Sequence, residues 1–76
     1  MAILFAQIAF GQSHAAGIEA MQLEEWDKAI SIYAGLVKAN PADQSAFLSL
    51  GNAYLAKGDK ENALANFKNA SNTNSD

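Results

Sequence analysis

Few side chains in this sequence of 76 residues have the types and spacing that chemistry requires. His14 is the single histidine and there is no cysteine, so no thiolate nucleophile and no Cys/His metal spacing can be assembled. No glycine-rich phosphate loop follows a strand-like run. Glu24, Glu25 and Asp27 form an acidic cluster where a helix would begin; a helix N-terminus favours negative charge, so capping is the expected role, not cation binding. His14 reads as an ordinary helix-surface residue and Trp26 as a cover for a hairpin edge. We therefore expect no catalytic activity, no cofactor and no metal site.

The composition points away from other ligand classes. The formal net charge is -3, and the five basic residues are all lysines, Lys28, Lys38, Lys57, Lys60 and Lys68, scattered among carboxylates. A nucleic-acid binder shows a basic stripe, with arginine for bidentate phosphate contacts, so no nucleic-acid partner is expected. Half of the residues are hydrophobic, alanine dominates them, and proline occurs once. That balance favours close-packed helices over strands.

Residues 1–10, MAILFAQIAF, form an almost wholly apolar run ahead of Gly11-Gln12-Ser13-His14-Ala15. Three readings are open for it. It could be a core or interface helix. It could be a signal remnant with Ser13-His14-Ala15 as the small-x-small site, although no basic residue precedes it. It could lie on a membrane surface, although a basic polar face is missing and the run is too short to span a bilayer. Localisation is correspondingly open between cytoplasmic and periplasmic or secreted.

The elements that position these residues follow from an internal period. A shift of 34 residues places Gly17 on Gly51, Ala29 on Ala63, Tyr33 on Phe67, Ala20 on Tyr54, Ala16 on Leu50 and Asn40 on Asn74. Apolar stripes at helical spacing run through Ile18, Met21 and Leu23, then Trp26, Ala29, Ile30, Tyr33, Leu36 and Val37. They resume at Phe47, Leu50, Tyr54 and Leu55, and again at Ala63, Leu64, Phe67 and Ala70. Gly58 suits a left-handed helix end, Asp59 an N-cap, and Asn40-Pro41 a turn between hairpins. The pattern predicts helices near 3–23, 26–39, 43–57 and 60–72, with a possible break at Gly11 and a polar tail from Ser71 to Asp76. Gly17, Gly51, Ala29 and Ala63 are expected where paired helices cross closely.

Phe47-x-x-Leu50-Gly51-x-x-Tyr54, then Gly58, Ala63, Phe67 and Ala70, resembles the tetratricopeptide repeat signature in order and spacing, with Phe47 in the place of tryptophan. The preceding unit is weaker at its start, where Ser13, Ala16, Gly17 and Ala20 stand, and good at Ala29, Tyr33, Leu36 and Pro41. The resemblance implies an all-α fold of antiparallel helix hairpins stacked as a short α–α superhelix. The divisions are an apolar segment at 1–10, a first repeat at 11–43 and a second at 44–76 with a frayed tail. It also implies a scaffold that binds a protein or peptide in a concave groove lined by the first helix of each hairpin.

On this chain the groove side chains outside the core would be His14, Ala15, Ile18, Met21 and Gln22, then Ser45, Leu48, Ser49, Asn52 and Leu55. Asn52, Leu48, Ser49, Ser45, Ile18 and Gln22 form the candidate peptide site. Asn52 stands where chaperone-binding members hold a peptide carboxylate, yet the surrounding cationic positions are Leu48, His14 and Ile18, so a carboxylate clamp is not expected. Two repeats without a polar cap leave apolar ends. Self-association is therefore expected beside ligand binding, most simply as a symmetric dimer through Ile3, Leu4, Phe5, Ile8 and Phe10; the alternative is an assembly module whose main contact is with its own copies, or a fragment of a longer exported array.

Overall fold

The computed structural model describes residues 13–73, and within them four α-helices follow one another: α1 (His14–Gln22), α2 (Trp26–Ala39), α3 (Gln44–Lys57) and α4 (Lys60–Asn72). The last three match the periodicity of the sequence closely. The first does not run on from residue 3. Ser13 has extended backbone at φ -90° and ψ 155°, and its hydroxyl accepts from the backbone N–H of Ala16, so it caps a helix that starts at His14. Residues 1–12, including the apolar segment and its interface candidates Ile3, Leu4, Phe5, Ile8 and Phe10, lie outside the described residues. Helix α1 therefore starts about one turn late relative to α3, because Ser13 leaves helical backbone and its hydroxyl accepts from the N–H of Ala16, where Phe47, its counterpart, continues the helix.

The two hairpin turns are built alike. In the second, the N–H of Asp59 donates to the carbonyl of Tyr54 at 2.9 Å and that of Gly58 to Leu55 at 3.0 Å. In the first, Glu25 donates to Ala20 at 2.9 Å and Glu24 to Met21 at 3.0 Å. This is the Schellman closure, and it needs a left-handed residue after the helix. Gly58 meets that need at φ 99°, whereas Glu24 is forced to φ 58°. The acidic cluster does not cap in the expected manner either: Glu25 occupies the N-cap of α2 but makes no side-chain hydrogen bond there. Asp43 and Asp59 do cap, accepting from Ala46 at 3.0 Å and Asn62 at 3.1 Å.

Packing is sequential, with each helix against the next. The centre is Tyr33, 2% exposed, gathered with Ala20, Ala29, Leu50 and Ala53. A methyl group added at Gly17 would lie 2.4 Å from the Tyr33 ring, and one at Gly51 would lie 2.5 Å from the Phe67 ring. Each glycine thus makes room for the aromatic side chain sixteen positions on, and the 34-residue shift that maps one glycine onto the other also maps one ring onto the other. Not every apolar stripe residue is buried: Leu23 and Leu64 are 61% and 68% exposed, while Ala63 and Ala70 beside Leu64 are fully enclosed.

Two outcomes follow for stability. Overpacking of roughly 1–3 kcal/mol exceeds the gain of about 1 kcal/mol from replacing a helical glycine. Gly17→Ala and Gly51→Ala should then both lower the urea midpoint, Gly17→Ala more so, because buried Tyr33 cannot move aside as half-buried Phe67 can. Glu24→Gly should act in the opposite direction. Relief of a left-handed backbone worth about 1–2 kcal/mol outweighs the added unfolded-chain entropy, and the midpoint rises.

Candidate functional site

Two polar contacts fasten the hairpins to each other. Nε2 of His14, at the start of α1, lies 2.9 Å from Oδ2 of Asp43, the N-cap of α3. The His14 ring also meets Tyr33 edge-on, with centroids 6.3 Å apart and planes at 61°. Asp27 in the first turn of α2 pairs with Lys57 in the last turn of α3 at 2.6 Å. Within the second hairpin, Nε2 of Gln44 donates to the carbonyl of Ala70 at 3.1 Å. Neither inter-hairpin contact was legible in the sequence, because His14 and Asp43 are 29 residues apart and only the fold brings them together.

Both contacts perturb ionisation. The hydrogen bond from His14, reinforced by the backbone N–H of Ala46, holds the Asp43 carboxyl below its ordinary 3.8. Asp27, by hydrogen bond and then by charge, holds Lys57 above 10.5. The second pair is open to solvent and is weakened by salt.

The expected groove residues are arranged as follows. Ser45, Leu48, Asn52 and Leu55 are exposed and recur at i, i+3, i+7 and i+10 along α3, which puts them on one side of that helix. Ser49 is half-buried at the margin. On α1, Ile18 and Gln22 are exposed one turn apart, and Ala15 precedes them. His14 is engaged with Asp43, and Met21 is half-buried against the core, so neither is open in the way the sequence implied. What remains is an uncharged surface whose large apolar members are Ile18, Leu48 and Leu55, with Asn52 between the last two. Asn52 makes no hydrogen bond to another side chain or to the backbone beyond its own helix among the described residues.

A separate shallow depression of about 420 Å³ lies between the inter-hairpin turn and the end of α4, lined by Pro41, Ala42, Phe47, Asn69, Asn72 and Thr73. Sequence reasoning did not anticipate it. Among the described residues no group of three His, Asp or Glu could hold a metal ion, and no helix is long and apolar enough to cross a membrane.

Two helix hairpins in tandem, each closed by the same turn and the same small-residue-to-ring contact, define a helical repeat scaffold. The sequence model described as "Tetratricopeptide repeat" matches residues 14–73, and the chain belongs to that family. The family is one of protein–protein interaction modules. Two curated relatives are similar over 59 residues at 41% identity: "Cellulose synthase operon protein C" of Escherichia coli (strain K12) and "Putative cellulose synthase operon protein C" of Escherichia coli O157:H7. In each case the match covers 78% of this chain and 5% of the relative, so the chain spans a small part of the proteins it resembles. No solved structure gives a significant match.

The Asp43 contact yields a signed pH dependence. A carboxyl whose pKa is lowered on folding stabilises the fold above its unfolded pKa, and that contribution is lost as pH falls through the folded value. Asp43→Ala should cost roughly 0.5–2 kcal/mol near neutrality, as loss of a helix cap does. The difference from the parent chain should close as pH falls below 3.8, measured by urea unfolding across that range.

Proposed function

We propose that the face formed by Ile18 and Gln22 on α1 and by Ser45, Leu48, Ser49 and Asn52 on α3 is the concave groove of the scaffold, and that it receives a peptide or helix through apolar contacts. The observation that carries this reading is the exposure of Leu48 and Ile18 at positions the core does not use, with the Asn52 amide beside them. Apolar side chains offer the ligand burial, and an amide offers a hydrogen bond that fixes register. A carboxylate terminus is not the favoured ligand. No lysine stands among these residues, His14 is committed to Asp43, and Glu19 beside Ile18 carries the wrong charge for a carboxylate.

The sets open on α1 and α3 are not copies of each other. Asn52 on α3 corresponds to Ile18 on α1, and Leu48 corresponds to His14. A ligand crossing from one hairpin to the next meets isoleucine first and leucine with amide second, a graded surface that suits an amphipathic helix. A second setting is favoured by the comparisons. Because the matched stretch is 5% of two long relatives, we also propose that this pair of hairpins serves within an extended array, where the groove continues into further repeats.

Selection of binders from a displayed library of helical peptides tests the groove. Burial of a leucine is worth about 1.5–3 kcal/mol, which is roughly tenfold or more in affinity. Leu48→Asp should weaken the selected peptides by that factor with helicity unchanged, and Asn52→Ala by less. Binders indifferent to both changes would place the ligand elsewhere on the chain.

A further inference from the structure

Helix α4 presents two faces of different character. Ala63, Phe67 and Ala70 turn inward, the alanines enclosed and the ring over Gly51 of α3. About a third of a turn round the helix, Glu61, Leu64 and Lys68 recur at i, i+3 and i+7 on one side, and all three are exposed. Leu64 is 68% exposed, more than any other large apolar side chain among the described residues. The ion pairs among the described residues join His14 to Asp43, Lys28 to Glu25 and Lys57 to Asp27. Glu61 and Lys68 belong to none of them. An open leucine thus stands between an unpaired anion and an unpaired cation.

The corresponding side of α2, 34 residues earlier, is Asp27, Ile30 and Ala34, and there Ile30 and Ala34 pack against the core cluster. Helix α4 puts Lys68 at the place of Ala34. An occupant that covered α4 as α2 is covered would meet an ammonium where α2 packs a methyl group. Desolvating that charge is costly unless a carboxylate arrives with the occupant. The face therefore asks for three things together: an anion at Lys68, a cation at Glu61 and an apolar side chain at Leu64. Its own sequence, run in the opposite direction, supplies all three.

We propose that a second copy of this chain lays its α4 antiparallel on the α4 of the first, about a two-fold axis that passes between Leu64 and Ala65. Glu61 and Lys68 are equally distant from that axis, so Glu61 faces the second copy's Lys68 and Lys68 faces the second copy's Glu61. The two Leu64 side chains meet at the centre, where the small Ala65 beside each leaves room. A parallel arrangement is disfavoured, because it opposes Glu61 to Glu61 and Lys68 to Lys68. The third charge of the exposed surface, Lys60, lies at the flank and keeps its ammonium in water. An isologous contact of this kind closes at the dimer. With 13 residues, α4 is about 20 Å long, so the interface is of the small class and association is weak. The symmetry is the one expected from the sequence, but the surface is α4 in place of Ile3, Leu4, Phe5, Ile8 and Phe10. The groove on α1 and α3 plays no part in it.

Sedimentation equilibrium of the full chain and of two charge-reversed variants tests it, at concentrations up to about 1 mM. Glu61→Lys and Lys68→Glu both change exposed side chains, and circular dichroism verifies that the helices remain. The parent chain should pass from monomer to dimer and stop there, and added salt should weaken the dimer. Either variant alone opposes two like pairs across the axis and should dimerise about tenfold more weakly or worse. Mixed together they should form a one-to-one heterodimer, because each lysine of the first then faces a glutamate of the second. A parent chain that stays monomeric overturns the proposal and leaves the α4 face to a further repeat or another protein. A parent dimer indifferent to both reversals overturns it too, by placing the contact elsewhere on the chain. So does a mixture that fails to recover association, since only antiparallel α4 pairing makes the two variants complementary.

Discussion

Each hairpin depends on a contact in which a glycine on its first helix lies under an aromatic ring on its second. With Gly17 beneath Tyr33 and Gly51 beneath Phe67, the ring occupies the volume that a β-carbon would need, so the two helices approach until ring meets backbone. Much else follows from that approach. The residues facing each other around the crossing must be small, which accounts for fully buried Ala20, Ala29, Ala53 and Ala63. Tyr33 reaches beyond its own hairpin to Leu50 and Ala53 of the next, so one ring both closes a hairpin and seats its neighbour. Phe67 repeats the first task and is half-buried among the described residues.

The features legible in the sequence were those carried by size at fixed spacing. The shift of 34 residues aligns small with small and ring with ring, and this alone locates three helices, both hairpin turns and the glycine positions. The sequence left open whether the first helix ran from residue 3 or broke at Gly11, and the signal that starts α1 at His14 is a single hydroxyl, that of Ser13, which accepts from the N–H of Ala16. Glu24 escaped notice because nothing in a glutamate announces a left-handed backbone; only its correspondence with Gly58 does. His14 was assigned to the surface for a similar reason. Its partner Asp43 belongs to another hairpin, and sequence periodicity carries no information on polar pairs across that distance. The groove stands between these cases: spacing along α3 put Leu48 and Asn52 on one side, but whether His14 and Met21 shared that surface depended on packing.

The polar contacts divide the work with the apolar ones. Alanine surfaces hold helices close but resist sliding weakly, since one small side chain resembles the next. His14 with Asp43 at one end ties the second hairpin to the first, and the solvent-exposed pair of Asp27 and Lys57 at the other adds a weaker contact. Directional contacts at the margins fix an orientation that the middle of the interface specifies poorly. The result is a defined presentation of Leu48, Asn52 and Ile18 from helices whose direct packing is through α2.

The alanine-rich interior also shapes how this protein responds to temperature. The heat capacity released on unfolding scales with the apolar surface that meets water, and methyl groups supply little of it. Among the fully enclosed side chains Tyr33 is the large one; nearly all the others are alanines. Unfolding enthalpy in proteins amounts to about 0.7 kcal/mol per residue near 60 °C, so two hairpins have a small total to set against thermal agitation. A small heat-capacity change flattens a stability curve, and a small unfolding enthalpy broadens the melt. Every further hairpin stacked on the face of α4 would sharpen that transition, because it adds enthalpy to the same cooperative unit.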